Sequence, residues 1–585
     1  MGFTSHPTVP WSELHRRLTG AAPDRTVVPL RRPAEEARAA EAFAAEPPTA
    51  EPPTAEPPAV KPGGPASVEP WAELHVHSAF SFLDGASDPE DLVAEAARLG
   101  VETLAITDHD GLYGAVRLAE AARGTGVATV FGAELTISHK SSTEHLLVLA
   151  RDPAGYRRLS AAIAAAQLAG GAKGRPAYDF AALAEAHDGH WAVLTGCRLG
   201  RVPAALATGG AERRLRTLTE AFGRENVYVE LIDQWLPGDD RRNDALAALA
   251  GELRLPVVAS TNAHHAGPAQ GRLAQSLAAL HERRTLQEAA GWTRASGTAH
   301  LRSGREMAAR LARFPGVRRA TAELGRACAF DFTKLDPELP GYPVPEGETE
   351  IGHLRALVAA GGPARFGPGN AAARRQLAKE LDVIEDLALA GYFLIVHDIV
   401  DFCRSQDIWC QGRGSAANSA VCYALGITAV DPIHYKLLFE RFLSTARDGP
   451  PDIDLDIENR RREEVIQYVY RRYGREHAAQ VANVITYRPR LAIRDAARVL
   501  GYPQGQVDAF SRQTDFRSAP GADAVIPADV LSLAAQLHGL PRHLGIHSGG
   551  MVLTKEPIGE ICPCRVRCPV HKANPLTCHV RIAAH

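Results

Sequence analysis

From Trp71 onward, short apolar segments alternate with alanine-rich segments of helical length, and this alternation restricts the fold more than any other feature. Seven of the apolar segments have the length and composition of buried strands: residues 73–76, 103–107, 129–131, 146–149, 192–194, 227–231 and 257–259. Strands that are separated by helices pair in parallel, and a long series of them can close into a barrel. The pattern therefore predicts a parallel, barrel-like α/β domain over residues 71–285.

The rest of the chain divides by composition. At 585 residues the chain is too long for one core, so several domains are expected. Residues 45–58 repeat Ala-Glu-Pro-Pro-Thr, which predicts an extended linker within an N-terminal extension over residues 1–70. Residues 11–18 of that extension could form a short amphipathic helix. After residue 285 the segments become more helical, and an arginine-rich helical stretch is predicted from Arg460 to about Leu540.

Composition bounds the class of protein. Hydrophobic residues make up 45% and charged residues 23% of the chain, and no apolar run approaches the roughly 18 residues that a membrane span requires. The N-terminus has no apolar signal core, which predicts a cytoplasmic location. The nine cysteines are mostly scattered, which is typical of reduced thiols. The net charge of −3 neither requires nor excludes nucleic acid, so any basic surface must be local.

Candidate metal ligands lie at the ends of the predicted strands, where the loops of a βα barrel meet. A single histidine there would have an ordinary surface or core role, but the whole set predicts a metal site. Imidazole, carboxylate and thiolate together suit zinc or a mixed transition-metal cluster. The set consists of His75, His77, Asp84, Asp108, His109, Glu134, His145, Cys197, Asn262 and His264.

A second cluster of acids follows a glycine- and serine-rich turn at residues 412–419, whose backbone amides could approach phosphate oxygens. Residues 452–458 alternate acidic and aliphatic side chains, so a strand would place Asp452, Asp454, Asp456 and Glu458 on one face. Like charges so close repel unless a cation lies between them. The pattern predicts a divalent metal beside a phosphate-binding turn, and hence phosphoryl or nucleotidyl transfer. A solvated edge strand is the alternative.

Basic residues are concentrated after this cluster. Twelve arginines and seven acidic residues lie between Glu458 and Arg517, which is a local excess of five positive charges. The spacing of Arg471 and Arg475, and of Arg494 and Arg498, favours a cationic surface that follows a DNA backbone without reading its sequence. A solvated helix face is the alternative.

Leu-His-Val-His at residues 74–77 and Ile-Thr-Asp-His-Asp-Gly at residues 106–111 resemble the polymerase and histidinol phosphatase (PHP) domain. The resemblance implies a site that holds up to three metals, Zn²⁺ or Mn²⁺, and hydrolyses phosphoesters. The implied ligands are His75, His77, Asp84, His109, Glu134, His145, Cys197 and His264. This family usually has aspartate where the chain has Asn262, and a neutral amide is a poorer ligand that bridges two cations badly.

Four further segments, together with the PHP-like region, resemble the C-family DNA polymerases of bacteria, the alpha subunits of DNA polymerase III. They are residues 391–396, 412–417, 451–456 and 545–550. Residues 82–85, 108–114 and 546–552 are most similar to the accessory, error-prone type, as is an N-terminal extension with a tryptophan-led helix. The resemblance covers residues 71–563 and implies a polymerase palm with a helical lead-in over residues 286–485 and a thumb-like region over residues 486–545.

The resemblance also implies a mechanism and partners. Asp454 and Asp456 would hold two Mg²⁺ ions, and Arg413, Gly414 and Ser415 would bind the phosphates of the incoming nucleotide. The substrates would be primed template DNA and dNTPs. A sliding clamp and mutagenesis accessory proteins would be partners in DNA repair and damage-induced mutagenesis.

The chain departs from that family near its end. Members are longer and take a third catalytic aspartate from a strand after the Gly549–Gly550 pair, whereas the last aspartate here is Asp529. Residues 546–585 are expected to return partly to the palm and then to lose the resemblance in a cysteine-rich tail. We therefore expect a truncated member that extends primers poorly. A zinc knuckle is the alternative for the tail, and its ligands would be Cys562, Cys564, Cys568, Cys578 and His579.

Two other functions stay open from the sequence. The PHP-like domain could act alone as a metal-dependent phosphoesterase or 3′-exonuclease. The chain could also be a DNA-binding protein without catalytic activity.

Overall fold

Seven strands form one sheet in the order in which they occur along the chain. The computed structural model describes residues 70–138, 143–290, 296–335, 340–443, 453–514 and 525–563, and the backbone of residues 565–566 and 576–577. A parallel bridge between Val76 and Ala263 joins the two edges of the sheet, so that it nearly closes into a barrel, as predicted. The strands are Ala72–Glu73 (β1), Thr103–Ile106 (β2), Ala128–Ser138 (β3), Thr143–Ala150 (β4), Trp191–Leu194 (β5), Val227–Ile232 (β6) and Val257–Ser260 (β7).

The prediction of an all-parallel barrel is wrong for β4, which runs antiparallel to both β3 and β5. Only residues 139–142 separate β3 from β4, whereas a parallel crossover needs about a dozen residues or more. The pairing with β4 extends β3 to Ser138. Glu134, which was expected after the third strand, therefore lies within it.

Helices surround the barrel and build most of the remaining chain. None of the described helices combines the length and apolarity needed to cross a membrane. The helices are Pro89–Leu99 (α1), Ala115–Ala122 (α2), Pro153–Ala169 (α3), Phe180–His187 (α4), Ala211–Phe222 (α5), Asp239–Leu253 (α6), Gly271–His281 (α7), Leu286–Ala289 (α8), Gly304–Arg310 (α9), Val317–Cys328 (α10), Glu350–Phe366 (α11), Ala371–Asp386 (α12), Ala390–Ser405 (α13), Ala420–Ala424 (α14), Arg462–Tyr473 (α15), Pro489–Val499 (α16), Gln504–Arg512 (α17), Ala528–Leu537 (α18) and Ile558–Ile561 (α19).

Helix α10 packs against the start of the barrel strands. A Cβ atom at Gly325 would lie 2.7 Å from Ala72 Cβ, so the helix approaches the sheet more closely than a larger residue would permit. Thr321 Oγ1 accepts a hydrogen bond from the amide of Ala259 at 2.9 Å. The helix therefore covers this end of the barrel, and the opposite end carries the strand-terminal ligands.

A second core follows the barrel. Helices α11 to α14 pack around buried side chains that include Leu354, Phe393 and Val421. Beside them, Cys410–Arg413 (β8) pairs in antiparallel with Asp454–Ile457 (β9).

The predicted arginine-rich helical stretch is interrupted by a long strand, Ala478–Thr486 (β10), which pairs in antiparallel with Pro541–Leu553 (β11). Helices α16, α17 and α18 are inserted between these two strands. The pairing with β11 stabilises β10 as a strand. Because β11 follows more than fifty residues later in the chain, local composition does not predict this pairing. Two short strands, Arg565–Val566 (β12) and Leu576–Thr577 (β13), also pair in antiparallel.

The inserted helices share a buried cluster with the barrel. Leu83 and Ala86, from the loop after β1, and Leu277 of α7 belong to the same apolar cluster as Ile493 of α16 and Leu537 of α18. The loop that carries Asp84 is thus supported from outside the barrel.

We expect Ile493→Ala to loosen this loop as well as the inserted helices. Removal of a buried isoleucine side chain costs about 2–5 kcal/mol, and Ile493 is 2% exposed. Hydrogen–deuterium exchange should become faster in residues 82–87 and in residues 489–499. Leu531→Ala, at an exposed position of α18, is the control and should leave both segments unchanged. If exchange rises in the helices alone, the loop does not depend on them.

Candidate functional site

Seven of the eight predicted PHP ligands converge at one end of the barrel. They form three groups, each with ligand atoms within 4.8 Å of one another. Because His77 and Glu134 each belong to two groups, the three groups make one continuous cluster that could hold metal ions. The groups are His75, His77 and Glu134; His77, Asp84 and His264; and His109, Glu134 and His145.

Hydrogen bonds fix which nitrogen of two imidazoles faces the cluster. His75 Nδ1 lies 3.0 Å from Glu230 Oε1, which leaves its Nε2 atom 3.2 Å from His77 Nε2. His264 Nδ1 lies 2.9 Å from the carbonyl oxygen of Asn262, which leaves its Nε2 atom 3.4 Å from an Asp84 oxygen. Partners of this kind orient metal-binding histidines in proteins.

Asp108, one of the acids at the predicted strand ends, contacts the cluster indirectly, through hydrogen bonds to two serines. Its carboxylate accepts hydrogen bonds from the amide and hydroxyl of Ser78, both at 2.7 Å, and from the hydroxyl of Ser81 at 2.6 Å. Ser81 Oγ in turn lies 3.2 Å from His77 Nδ1. Sequence reasoning missed Ser78, Ser81 and Glu230. Glu230 could have been noticed, since it is an acid inside a predicted apolar strand.

Cys197 and Asn262 lie at the edge of the cluster. Cys197 Sγ is 3.6 Å from His145 Nδ1, but among the described residues it joins none of the three ligand groups. Asn262 Oδ1 is buried and has no hydrogen-bond partner in the described part of the chain. The backbone of Asn262 has φ = 48°, a left-handed conformation that asparagine tolerates better than most residues.

Burial and nearby charges strongly shift the pKa values of the histidine ligands. Burial lowers the pKa of His77 well below its ordinary value, and the neighbouring His109 and His264 add to this. Burial would also lower the pKa of His75, but Glu230 and Glu134 outweigh it and raise the pKa to about 10. The facing Nε2 atoms of His75 and His77 require a proton or a metal between them. A bound divalent transition metal would displace that proton, and imidazoles with a shared carboxylate are ligands that suit such a metal.

Glu134→Gln should reduce the metal content of the barrel by about tenfold or more, because it removes the one carboxylate that two ligand groups share. Metal can be measured by mass spectrometry after dialysis against Zn²⁺ or Mn²⁺. Glu120→Gln, on the exposed surface of α2, is the matched control. An unchanged metal content in Glu134→Gln would show that the cluster does not hold the metal.

The second site lies on the pair of strands β8 and β9. The register places Arg413 opposite Asp454 and Gln411 opposite Asp456. Arg413 Nε lies 2.9 Å from an Asp456 oxygen, and its Nη2 atom lies 3.6 Å from an Asp454 oxygen. The two carboxylates therefore project together beside the arginine of the turn. Asp452 lies outside the described residues.

A buried glutamate that sequence reasoning missed holds the turn. Glu380 of α12 accepts hydrogen bonds from the Ser419 hydroxyl at 2.8 Å and from the amides of Ala420 and Val421, both at 3.0 Å. These two amides are therefore not available to phosphate. The remaining turn, Gly414–Asn418, is a 3₁₀ helix in which Gly414 has φ = 71°, a conformation that favours glycine.

Of the four predicted DNA-binding arginines, Arg471 lies on α15, Arg475 follows the end of that helix, and Arg494 and Arg498 lie on α16. Three of the four have partners within the chain. The Arg475 guanidinium lies over the Tyr470 ring and donates to Gln467. Arg494 lies 3.8 Å from Asp508, and Arg498 lies 3.9 Å from Asp495. Arg471 is exposed at the end of α15. A contact with DNA stays a prediction for all four.

The glycine motif at residues 545–550 lies within β11, where His547 Nδ1 accepts hydrogen bonds from the amides of Gly549 and Gly550. In the part of the chain that the structure describes, neither Asp454 nor Asp456 belongs to a group of three metal-binding side chains. The N-terminal extension, Cys564 and the tail residues Cys568, Cys578 and His579 lie outside the described residues. The zinc-knuckle alternative therefore stays untested.

Arg413→Gln should tighten metal binding at β9, because the guanidinium occupies the position of a counter-ion between the two carboxylates. An exposed ion pair contributes ~1 kcal/mol or less, so the expected gain in Mn²⁺ affinity is up to about fivefold. Mn²⁺ binding can be followed by electron paramagnetic resonance in a Glu134→Gln background, which reduces binding at the barrel. Arg413→Lys keeps the charge and should show no gain. Weaker binding in Arg413→Gln would show that this arginine supports the metal instead.

Two family models match the parts of the chain in which these two sites lie. Residues 73–234 match the PHP domain, and residues 352–577 match the bacterial DNA polymerase III alpha NTPase domain. An error-prone DNA polymerase of Mycobacterium bovis is 58% identical over 506 residues, which cover 84% of this chain and 46% of that protein. One of Cutibacterium acnes is 52% identical over 574 residues, which cover 95% of this chain and 49% of that protein.

A solved structure, a putative metal-dependent phosphoesterase from Bifidobacterium adolescentis, shares 19% identity and a TM-score of 0.27 over 33% of this chain and 87% of that one. At that TM-score the likeness carries no argument.

The matches define a class of protein, in which a PHP domain precedes a polymerase domain of the DNA polymerase III alpha type. Within that class, the curated relatives that share 52–58% identity with this chain are error-prone DNA polymerases. The resemblance predicted from its motifs is thereby confirmed. The chain spans about half the length of the curated relatives that it matches.

Proposed function

We propose that this chain provides the nucleotidyl-transfer site of an error-prone, translesion-type DNA polymerase, which extends primed template DNA with dNTPs. The observation that carries the proposal is the joint projection of Asp454 and Asp456 beside Arg413, at the start of the glycine turn. By resemblance to the error-prone polymerases, its setting would be DNA repair and damage-induced mutagenesis, with a sliding clamp and mutagenesis proteins as partners.

Each part of this site has a chemical role in the proposal. Asp454 and Asp456 would hold Mg²⁺, which when bound activates the primer hydroxyl and neutralises the triphosphate. Arg413, released from its ion pairs, would move to the phosphates together with the turn at Gly414 and Ser415. Glu380 would keep that turn in place, because its hydrogen bonds to the following helix fix where the turn ends.

The arginines at the end of α15 and on α16 would follow the phosphate backbone of the primed duplex. Binding of this kind weakens as salt rises, because each phosphate contact releases counterions. Since Arg475, Arg494 and Arg498 already have partners, only part of their charge would be free for DNA.

Asp454→Asn should abolish both Mg²⁺-dependent dNTP binding and primer extension by this chain. Extension by the unaltered chain should be slow, since only two carboxylates meet among the described residues and a missing metal-site group typically costs about 10²–10³ in rate. Calorimetry with dATP and single-turnover primer extension give the two measurements. Glu463→Gln, a carboxylate exposed on α15, is the matched control. Absence of Mg²⁺-dependent dNTP binding in the unaltered chain would contradict the proposal, and rapid extension would contradict only its statement of slow synthesis.

The seven-ligand cluster of the barrel favours a second candidate function, a metal-dependent phosphoesterase that acts on primer 3′ ends. Hydrolysis should survive Asp454→Asn and be lost in His75→Ala, which distinguishes the two functions in one assay. Salt-dependent binding of primed duplex with neither activity would identify the chain as a DNA-binding protein alone.

A further inference from the structure

Two cysteines lie close together at the start of the strand that carries Arg413. Cys403 lies near the end of α13 and Cys410 opens β8. Between them the chain reverses direction, and the amide of Ile408 donates to the carbonyl oxygen of Cys403 at 2.7 Å. This turn packs Cys410 against the small apolar cluster that contains Cys403.

Cys410 is more exposed than three of the other described cysteines. Cys403 is buried with Ile408 and Val465 in a small apolar cluster, and Cys410 packs at its edge and is partly exposed. Cys197, Cys328 and Cys422 are buried. Peroxide can therefore reach Cys410 more easily than it can reach any of these three.

The pKa values also favour Cys410 as the thiol that reacts first. The hydrogen bond from Cys403 lowers the pKa of Cys410, although burial opposes this shift. Burial raises the pKa of Cys328 to about 11 and that of Cys422 to about 12, which leaves these thiols protonated. Thiolate is the reactive form toward peroxides.

We propose that Cys403 and Cys410 are a redox site, which closes to a disulfide when the protein meets a peroxide and reopens with a dithiol reductant. The Cys410 thiolate attacks one peroxide oxygen, the O–O bond breaks, and a sulfenic acid and hydroxide form. The Cys403 sulfur then attacks the Cys410 sulfur and displaces a second hydroxide. The two thiol protons convert both hydroxides to water, so that the two thiols are oxidised and one hydrogen peroxide is reduced.

A disulfide between these cysteines would affect the strand that carries Arg413. Cys410 lies three residues before Arg413 on β8, the strand that pairs with the one carrying Asp454 and Asp456. A disulfide would tie the start of that strand to α13. The oxidised chain should accordingly exchange backbone deuterium more slowly over residues 405–413. The disulfide itself does not depend on the proposed polymerase function.

Trypsin gives a direct test on the unaltered chain, because residues 380–404 and 405–413 are separate peptides with one cysteine each. After treatment with hydrogen peroxide and without reduction, these two peptides should appear as one linked species, lighter by two hydrogens than their sum. Dithiothreitol should return both free peptides. The peptide over residues 414–436 carries only Cys422 and should remain alkylatable throughout.

Two variants and one control test the order of events. Cys403→Ser should leave a sulfenic acid at Cys410 that dimedone traps, whereas Cys410→Ser should leave Cys403 unoxidised. In urea, which unfolds the chain, a disulfide between Cys403 and Cys410 should form no more readily than one that involves Cys422. Failure of the linked species to form in the folded chain, or equal linkage to Cys422, would overturn the proposal.

Discussion

Closure of the barrel is the constraint on which the rest of this structure depends, and the ligand segments themselves provide it. The amide of His77 donates to the carbonyl oxygen of Ala263 at 2.8 Å, and the amide of Ala263 donates to the carbonyl oxygen of His75 at 3.0 Å. These bonds join the first and last strands, and they also bring two histidines beside His264. Backbone pairing therefore positions the ligands before any metal contributes.

The two candidate sites differ in how far the fold organises them. In the barrel, the ligands are buried and their orientations are set by Glu230, Ser81 and the Asn262 carbonyl. On β9, Asp456 is 69% exposed and its repulsion from Asp454 is balanced by Arg413. The first site is held by packing and needs little rearrangement to accept a cation. At the second site a metal ion must replace the Arg413 guanidinium. The ion pairs that must break are screened by solvent.

The sequence predicted what depends on local pattern. Alternation in residues 452–458 was enough to place Asp454 and Asp456 on one face, and strand-end histidines were enough to locate the barrel cluster. What it could not predict depends on pairing and contacts with other segments of the chain. Glu134 lies inside β3 because β4 pairs with it in antiparallel, β10 exists because β11 pairs with it, and Glu380 reaches a helix forty residues away. Cys197 has the right residue type, but the chain places it against His145 and outside the ligand groups.

The barrel also supports the polymerase region in a way that does not require a metal. Ser160 Oγ of α3 donates to the carbonyl oxygen of Gly559 at 2.6 Å, and Lys173 Nζ donates to that of Leu544 at 2.5 Å. With the apolar cluster around Leu277, these contacts hold both β11 and the helices inserted before it. A substitution such as Asn262 at the metal cluster leaves every one of these contacts in place. The barrel could therefore lose part of its metal chemistry and still be needed, because the polymerase region packs on its outer surface and not on its ligands.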